Sequence, residues 1–224
     1  MSFIVAIDGP AGVGKGTIAK RVSEDLKLIT IDTGATYRCV TVAIIEKNIK
    51  LDETKKIIDL LKSIKIDMEL VGDTKKVFLN GKDVTTRIRE DDVNNFVSQV
   101  SSIKEVREEM VNLQRKLAEG KNVVMEGRDI GTVVFPNADI KIFLDASIEE
   151  RAMRRYNQNQ ETGIDKELTY EQVYESISKR DFNDRNKPIG PLKQADDAIL
   201  VDTTGKTIEE NIKEVEDLIK GKLC

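Results

Sequence analysis

The chain has 224 residues, and none of them is histidine. Histidine is the usual general base near neutral pH and the commonest metal ligand, so its absence excludes triad hydrolases and histidine-held metal centres. A reaction that needs little proton chemistry is compatible with this composition. Phosphoryl transfer is such a reaction, because positioning and positive charge do most of the work in its transition state.

The sequence also has few cysteines and prolines, no excess of basic residues and no long apolar run. The two cysteines, Cys39 and Cys224, lie too far apart to indicate a metal-ligand spacing or a disulfide framework, which suits a reducing cytoplasm. The 36 basic residues are outnumbered by 40 acidic ones, and no apolar run approaches about 18 residues. We expect a cytoplasmic protein without nucleic-acid or membrane partners, and we expect it to be a monomer.

Five short apolar runs are typical of parallel strands that are buried on both faces. They alternate with segments of helical pattern, such as residues 17–26 and 36–47. The alternation predicts an α/β fold with a doubly wound, parallel, five-stranded sheet, whose ligands gather at the carboxyl ends of the strands. The predicted strands are residues 3–7, 28–31, 122–125, 141–144 and 198–201.

Two segments interrupt this alternation. Residues 66–84 contain the turn dipeptides Gly72-Asp73 and Asn80-Gly81, which indicate short strands within a small α+β lobe inserted at about residues 50–100. Residues 151–187 are dense in charge and helical in pattern, which suggests a mobile lid. The rest of this single catalytic chain forms the predicted core: residues 1–49, 101–150 and 188–224.

Residues 9–17 read GPAGVGKGT, which has the glycine spacing of a P-loop and lies between a predicted strand and a predicted helix. The backbone N–H groups of such a loop cradle phosphates, and Lys15 would reach the β- and γ-phosphates. Gly16 follows the lysine, so the hydroxyl that helps to place Mg²⁺ moves to Thr17. The alternative is a glycine-rich turn without a ligand. The predicted nucleotide-binding residues are Gly9, Pro10, Ala11, Gly12, Val13, Gly14, Lys15, Gly16 and Thr17.

Kinases, GTPase switches and ATP-driven motors all use a P-loop. The segment NKPI at residues 186–189 lacks the aspartate of a guanine-binding signature, which argues against a GTPase. The segment FLD at residues 143–145 could imitate the metal-assisting strand of a motor. This segment alone leaves the motor alternative open.

The segment DTGATYR, residues 32–38, supplies groups suited to a phosphorylated acceptor. Thr33 and Tyr37 carry hydroxyls, and Arg38 carries a planar fork that matches a phosphate. The segment is equally compatible with a helix start that Asp32 or Thr33 caps while Arg38 lies in solvent.

A second acceptor segment follows the predicted strand at residues 122–125. In the Glu-Gly-Arg-Asp turn, Arg128 could bind a phosphate, and Asp129 could accept hydrogen bonds from an amino group or a ring N–H. The alternative is an internal pair between Arg128 and Asp129, because buried charges are usually paired.

Arginines recur in the helical segments of the predicted lid. Arg151, Arg154 and Arg155 have the i, i+3, i+4 spacing of one helix face, and Arg180 and Asp184 follow downstream. Charge-rich helices are usually solvated faces. Beside a P-loop, however, such arginines would neutralise the transferring group and help to exclude water.

The chain resembles bacterial cytidylate kinases over essentially its whole length, and the GKGT ending of its P-loop is typical of nucleoside-monophosphate kinases. That family has a core, a lid and an enlarged monophosphate-binding insert. Any one matching segment is short, but seven in this order are specific. They are GPAGVGKGT, DTGATYR, the NGKDVT hairpin, SQVSSIKEVRE, EGRDIGTVVFP, KIFLDAS with EERAMRR, and RDFNDRNKPIGPL.

The resemblance implies a role for individual residues. At position 187 the family often has arginine, and the lysine found here keeps the charge but lacks the bidentate fork. The implied contacts are Thr33, Arg38, Arg128 and Lys187 near the acceptor phosphate, Ser98, Arg107 and Asp129 around the cytosine, and Arg180 with Asp184 around the ribose.

These observations predict transfer of the γ-phosphoryl group from ATP, with Mg²⁺, to CMP or dCMP. No base is obligatory, because the acceptor atom is already a phosphate oxygen. Two alternatives are another small-molecule kinase, against which the long inserted lobe argues, and a non-catalytic nucleotide-dependent switch. The predicted catalytic residues are Lys15, Arg128, Arg151, Arg155 and Arg180.

Overall fold

The computed structural model describes residues 2–71 and 74–223. The chain divides into two compact units: unit 1 comprises Met1–Ile31 and Leu117–Cys224, and unit 2 comprises Asp32–Lys116. The predicted turn at Gly72 and Asp73 lies outside the described residues, as does Cys224. The predicted division into core, insert and lid is a functional one. The two compact units do not test it, so it stays a prediction.

The described chain contains eight strands and eight α-helices. The strands are β1 (Ile4–Asp8), β2 (Ile29–Asp32), β3 (Ile66–Val71), β4 (Thr74–Leu79), β5 (Lys82–Asp83), β6 (Val123–Gly127), β7 (Ile140–Asp145) and β8 (Ile199–Asp202). The helices are α1 (Lys15–Leu26), α2 (Thr33–Glu46), α3 (Thr54–Ser63), α4 (Asp91–Val100), α5 (Lys104–Ala118), α6 (Ile148–Thr162), α7 (Tyr170–Arg185) and α8 (Ile208–Leu223). The chain also contains a 3₁₀ turn at Arg87–Arg89 and a π-helical turn at Ile130–Val134.

The five-stranded sheet has the order β2-β6-β1-β7-β8, which confirms the predicted doubly wound α/β fold. β1 lies at its centre and pairs in parallel with β6, with Ile4 opposite Val123, and with β7, with Val5 opposite Ile140. Because β1 is flanked on both sides, the loop that leaves its carboxyl end lies at the middle of the sheet edge. That loop is the predicted P-loop.

The core of unit 1 holds β1 between helices. Ile7 and Leu144 on the sheet are fully buried, as are Ile18 of α1 and Ile219 of α8. Burial of one such aliphatic side chain stabilises the fold by about 1.5–3 kcal/mol. The apolar run of β1 therefore fixes the base of the P-loop.

The predicted lid segment contains two helices, α6 and α7, as its pattern indicates. They pack through Ala152, Val173 and Ile177, and α7 begins with a capping box formed by Thr169 and Gln172. None of the helices described in the chain is both long enough and apolar enough to cross a membrane.

Unit 2 has its own core and its own small sheet, ordered β3-β4-β5. Val40 of α2, Ile57 of α3, Val93 of α4 and Met110 of α5 are buried in one cluster. Between β4 and β5, Asn80 (φ 51°) and Gly81 (φ 79°) form the predicted turn. The short strands expected in this region are confirmed.

Candidate active site

The P-loop follows a path that only glycine allows at its key positions. Gly9, Gly12 and Gly14 have φ of 155°, 77° and 93°. A Cβ atom built on Gly9 would lie 2.3 Å from the carbonyl oxygen of Leu144. The glycines therefore let the backbone turn tightly over the end of β7 and start α1 at Lys15.

Lys15 is buried in this loop, and its Nζ donates a hydrogen bond to the carbonyl oxygen of Pro10 at 2.6 Å. The pKa of Lys15 is lowered to about 7, chiefly by burial and by the positive charges of Arg128 and Arg180, whereas Glu126 opposes this shift. An anion in the loop would favour the charged ammonium. The surroundings of Lys15 are thus short of negative charge.

Asp184 of α7 brings several predicted acceptor residues together within unit 1. Its carboxylate accepts from Arg128 Nε at 2.9 Å and pairs with Lys187 Nζ at 2.9 Å. Burial opposes ionisation of Asp184, but the charges of Arg128, Lys187 and Arg180 together lower its pKa to about 2. Four cationic residues therefore lie in one region: Arg128 and Arg180 act on both Lys15 and Asp184.

The three arginines of α6 have different surroundings. Arg151 is buried: Nε donates to Ala146 O, Nη1 donates to Ala11 O in the P-loop, both at 3.0 Å, and Nη2 pairs with Asp181 of α7 at 2.6 Å. It therefore joins the P-loop to α7. Its predicted catalytic role stays a prediction.

The other two arginines of α6 point to different partners. Arg154 Nη2 donates to the carbonyl oxygen of Thr203 at 2.6 Å, which ties α6 to the loop after β8. Arg155 is exposed and donates to Gln158 of its own helix. For Arg155 too, the catalytic role stays a prediction.

The start of α2 shows that the capping alternative holds for Asp32, whose side chain accepts from the N–H of Ala35 at 3.1 Å. Thr33 is buried, and Arg38 is half-buried rather than fully in solvent. A Cβ atom on Gly34 would lie 2.8 Å from Arg38 Nη1 and 3.0 Å from Asp32 Oδ1. Gly34 thus leaves space for both charged groups in the first turn.

Unit 2 brings together three other predicted residues. The guanidinium of Arg107 lies 5.7 Å from the ring centroid of Tyr37, a cation–π distance. Arg107 also donates to the carbonyl oxygen of Ser101 at 3.3 Å, and the Ser101 hydroxyl donates to Ser98 O at 3.0 Å. The buried Arg107 is therefore held between α2 and the end of α4.

Sequence reasoning missed two polar residues that support these groups. The carboxylate of Asp8 in β1 accepts a hydrogen bond from the N–H of Ile130, in the turn after Asp129. Gln114 of α5 donates from Nε2 to Thr36 Oγ1 at 3.0 Å. Asp8 had a signal, since a carboxylate ends an apolar strand directly before Gly9. Gln114 had none, because a single glutamine on a charged helix resembles a surface residue.

The donor atoms near the P-loop are compatible with Mg²⁺. Thr17 presents an exposed hydroxyl in the first turn of α1, and oxygen is the ligand that Mg²⁺ prefers. In the described part of the chain, no group of three or more carboxylate or thiol side chains could hold a metal by itself. The residues present thus fit an ion held by one hydroxyl together with phosphate oxygens and water.

Comparison with known proteins decides the family. The model of the cytidylate kinase family matches residues 5–221. The chain belongs to the cytidylate kinase family. Its resemblance to those enzymes, its class as a kinase and the nucleotide-binding P-loop are thereby confirmed.

Individual relatives match over nearly the full length. The chain is 51% identical over 219 residues to a cytidylate kinase of Fusobacterium nucleatum, covering 98% of each chain. It is 47% identical over 214 residues to a cytidylate kinase of Caldicellulosiruptor bescii, covering 96% of this chain and 94% of the other. The crystal structure of an uncharacterized protein from Eubacterium ventriosum superposes with a TM-score of 0.55 at 13% identity, covering 99% of each chain, which supports the fold alone.

Proposed function

We propose that the protein transfers the γ-phosphoryl group of ATP to CMP or dCMP in the cytoplasm, giving ADP and CDP or dCDP. The observation that carries the proposal is the P-loop lysine Lys15 in the field of Arg128 and Arg180. Such a cluster suits a reaction that joins two polyanions. Family membership supports a cytosine nucleotide as the acceptor.

The donor is held by the P-loop. Its backbone N–H groups and the amino end of α1 attract the β- and γ-phosphates, and Lys15 exchanges Pro10 O for a phosphate oxygen. Thr17 would hold Mg²⁺ together with phosphates and water. When bound, Mg²⁺ would neutralise charge on the phosphate oxygens.

We propose acceptor-binding residues in unit 1 and in unit 2 separately. In unit 1, Arg128 and Lys187 bind the acceptor phosphate, and Asp184, which keeps its negative charge, holds both cations at 2.9 Å. Arg180 with Asp184 binds the ribose, and Asp129 accepts hydrogen bonds from the base.

In unit 2, the groups at the start of α2 are proposed to bind the acceptor phosphate: Thr33, Tyr37 and Arg38. Ser98 and Arg107 are proposed to recognise the base. Support comes from the contacts that hold Arg107 against Tyr37 and Ser101, since a side chain fixed in this way loses little freedom on binding.

The chemistry is a direct in-line displacement. An oxygen of the acceptor phosphate forms a bond to the γ-phosphorus while the bond from that phosphorus to the β–γ bridging oxygen breaks, and ADP leaves. The nucleophile is already an oxyanion, so no histidine or other base is required. Lys15, Arg128 and Arg180 stabilise the negative charge of the transition state, and the arginines of the predicted lid contribute as it closes.

The test is a panel of acceptors incubated with purified protein, ATP and Mg²⁺. We expect CDP and dCDP from CMP and dCMP, and much less product from AMP, GMP or shikimate. ATP consumption that does not respond to CMP would indicate a switch, and would overturn the proposal. Lys15→Ala should abolish turnover while leaving the fold intact by circular dichroism, and full activity of that variant would also contradict the site.

A further inference from the structure

Asp8, the last residue of β1, makes contacts that the proposed reaction does not use. Its side chain is buried, with 5% of the residue exposed. Oδ1 accepts from the N–H of Ile130 at 2.8 Å, and Oδ2 accepts from the N–H of Gly131 at 2.7 Å. These two N–H groups open the π-helical turn, where backbone donors lack partners inside the helix. One carboxylate satisfies both of them.

Asp8 also fixes the other side of the same segment. In the register of the sheet, Asp8 pairs with Gly127 at the end of β6. Its backbone therefore lies against residue 127, and its carboxylate holds residues 130 and 131. Arg128 and Asp129 lie between these two anchors. The residue that follows Asp8 is Gly9, where the P-loop begins.

We propose that Asp8, as a carboxylate, is a positioning residue that holds Arg128 and Asp129 in place relative to the P-loop. It does not touch the reacting atoms in this proposal, but acts through the two residues that it brackets. The proposal rests on the proposed function for the roles of Arg128 and Asp129. We call the contacts of Asp8 with Gly127, Ile130 and Gly131 the Asp8 clamp. The clamp itself does not depend on the proposed function.

The charge state of Asp8 gives the clamp a pH dependence. The pKa of Asp8 is raised to about 6: burial is the main cause and the charge of Asp129 adds to it, whereas the two backbone N–H groups and Lys15 oppose the shift. Lys141 of β7 also lies nearby, since its Cδ and Asp8 Oδ2 both lie within 3.5 Å of a Cβ built on Gly131. Glu126 of β6 acts on Lys15. Below about pH 6, a proton on Asp8 would weaken one of its two hydrogen bonds.

The first test is kinetic and uses Asp8→Asn, which keeps the shape but turns an amide N–H₂ toward one backbone donor. We expect the KM for CMP to rise about 10- to 100-fold at pH 7.5, the range expected for loss of a charge-assisted hydrogen bond. The KM for ATP should change less than about twofold. Equal effects on both substrates would mean a general structural role and would overturn the proposal.

The pH profile separates Asp8 from the titration of the substrate. The phosphate of CMP also takes up a proton near pH 6, but it does so equally for both proteins, so their ratio cancels it. We expect the ratio of kcat/KM for CMP, wild type over Asp8→Asn, to fall from at least about 10 at pH 7.5 towards about 1 at pH 5. A ratio that does not depend on pH would contradict the clamp.

Asp139→Asn is the matched control. Asp139 Oδ2 accepts from the N–H of Ile4 at 2.7 Å, so it makes the same kind of bond at the opposite end of β1. This variant should keep the KM for CMP and its pH profile. If it behaved like Asp8→Asn, the effect would belong to strand stability and not to positioning.

The second test uses the wild-type protein alone and needs neither a variant nor activity. The amide proton shifts of Ile130 and Gly131 in NMR spectra should titrate together with an inflection near pH 6, while that of Ile4 should not follow. Shifts that stay constant between pH 5 and pH 7.5 would overturn the clamp. If no CDP formed but the two amides titrated, the proposed function would fail while the clamp of Asp8 stood.

Discussion

Asp184 shows how one buried carboxylate holds two cations in the candidate site. It lies 2.9 Å from both Arg128 Nε and Lys187 Nζ, and its pKa is lowered to about 2 from an ordinary value of 3.8. A group whose pKa is depressed in the folded state stabilises that state above the unfolded pKa, and this contribution is lost as the pH falls through the folded value.

Asp184→Asn should therefore reduce the free energy of unfolding at pH 7 by about 2 kcal/mol or more, since it also leaves two cations without their counter-charge. The difference from wild type should narrow as the pH falls from about 4 towards 2. Urea titrations at each pH measure both effects. The exposed Asp196→Asn is the control, and equal stability of the two variants at pH 7 would contradict the account.

Lys187 is a second residue of the cluster around Asp184. Its side chain is 10% exposed, and its ammonium pairs with Asp184. Lys187→Ala should raise the KM for CMP about tenfold or more, because the charged hydrogen bond that we propose between Lys187 and the acceptor phosphate would be lost.

Lys187→Arg should recover most of that loss, because an arginine restores the charge and adds a bidentate fork. Steady-state kinetics with CMP and with ATP varied separately provide the measurement. The exposed Lys193→Ala should leave both KM values unchanged. An Arg variant as poor as the Ala variant would show that Lys187 does not act through its charge.

At the scale of elements, a specific prediction concerns Gly9, the residue that joins β1 to the P-loop. In Gly9→Ala the new Cβ would lie 2.3 Å from Leu144 O, so either the loop or β7 must shift. We expect nucleotide affinity to fall at least tenfold and the free energy of unfolding to fall by about 2 kcal/mol or more.

Gly120→Ala is its control, because Gly120 also has a positive φ of 70° but has no atom within 4 Å of the position that a Cβ would occupy. It should lose only about 1 kcal/mol of stability, from backbone strain, and keep nucleotide affinity. Titration calorimetry and urea unfolding compare the two. Similar affinity losses in both variants would show that strain alone, and not the close approach to Leu144, explains the effect.

The elements themselves can largely be predicted, because their signals are local. The apolar runs locate all five strands of the large sheet within a residue or two at each end, as at β1 and β7. The helical pattern places the start of α2 three residues late, since Thr33 and Gly34 resemble a turn but Asp32 caps the helix there. The π-helical turn at Ile130–Val134 has no sequence signal, because the carboxylate that holds it is over 120 residues away.

The candidate site is predictable in its residue types but not in its pairings. Lys15 and Arg128 are identified from motifs whose chemistry requires them. That Arg128 pairs with Asp184, and that Arg151 binds Ala11 O, depends on contacts between segments far apart in the chain. Helical spacing places Arg151 and Arg155 together, yet one is buried against the P-loop and the other is exposed.

At the scale of the whole molecule, the predicted lid at residues 151–187 gives a prediction for hydrogen exchange. Its cations should be drawn in only when negative charge from both nucleotides is present. A non-hydrolysable ATP analogue with CMP should therefore slow amide exchange in α6 and α7 more than the analogue alone. Mass spectrometry of peptides measures this. Peptides from α8 are the control, and equal protection in the two conditions would argue against closure.

The central position of β1 also governs the order in which the molecule can be made. β1 is synthesised long before its partners β6 and β7, which begin only at Val123 and Ile140. Unit 2 is one continuous stretch with a core of its own, so its contacts become available on the ribosome while the P-loop strand still has no neighbour. Pairing β1 with β6 closes a large loop of chain, and it is slow because of the chain entropy that is lost. The P-loop strand thus stays unpaired until β6 and β7 have been made, and a translation product that stalls before Val123 would contain the P-loop sequence without the sheet that holds it.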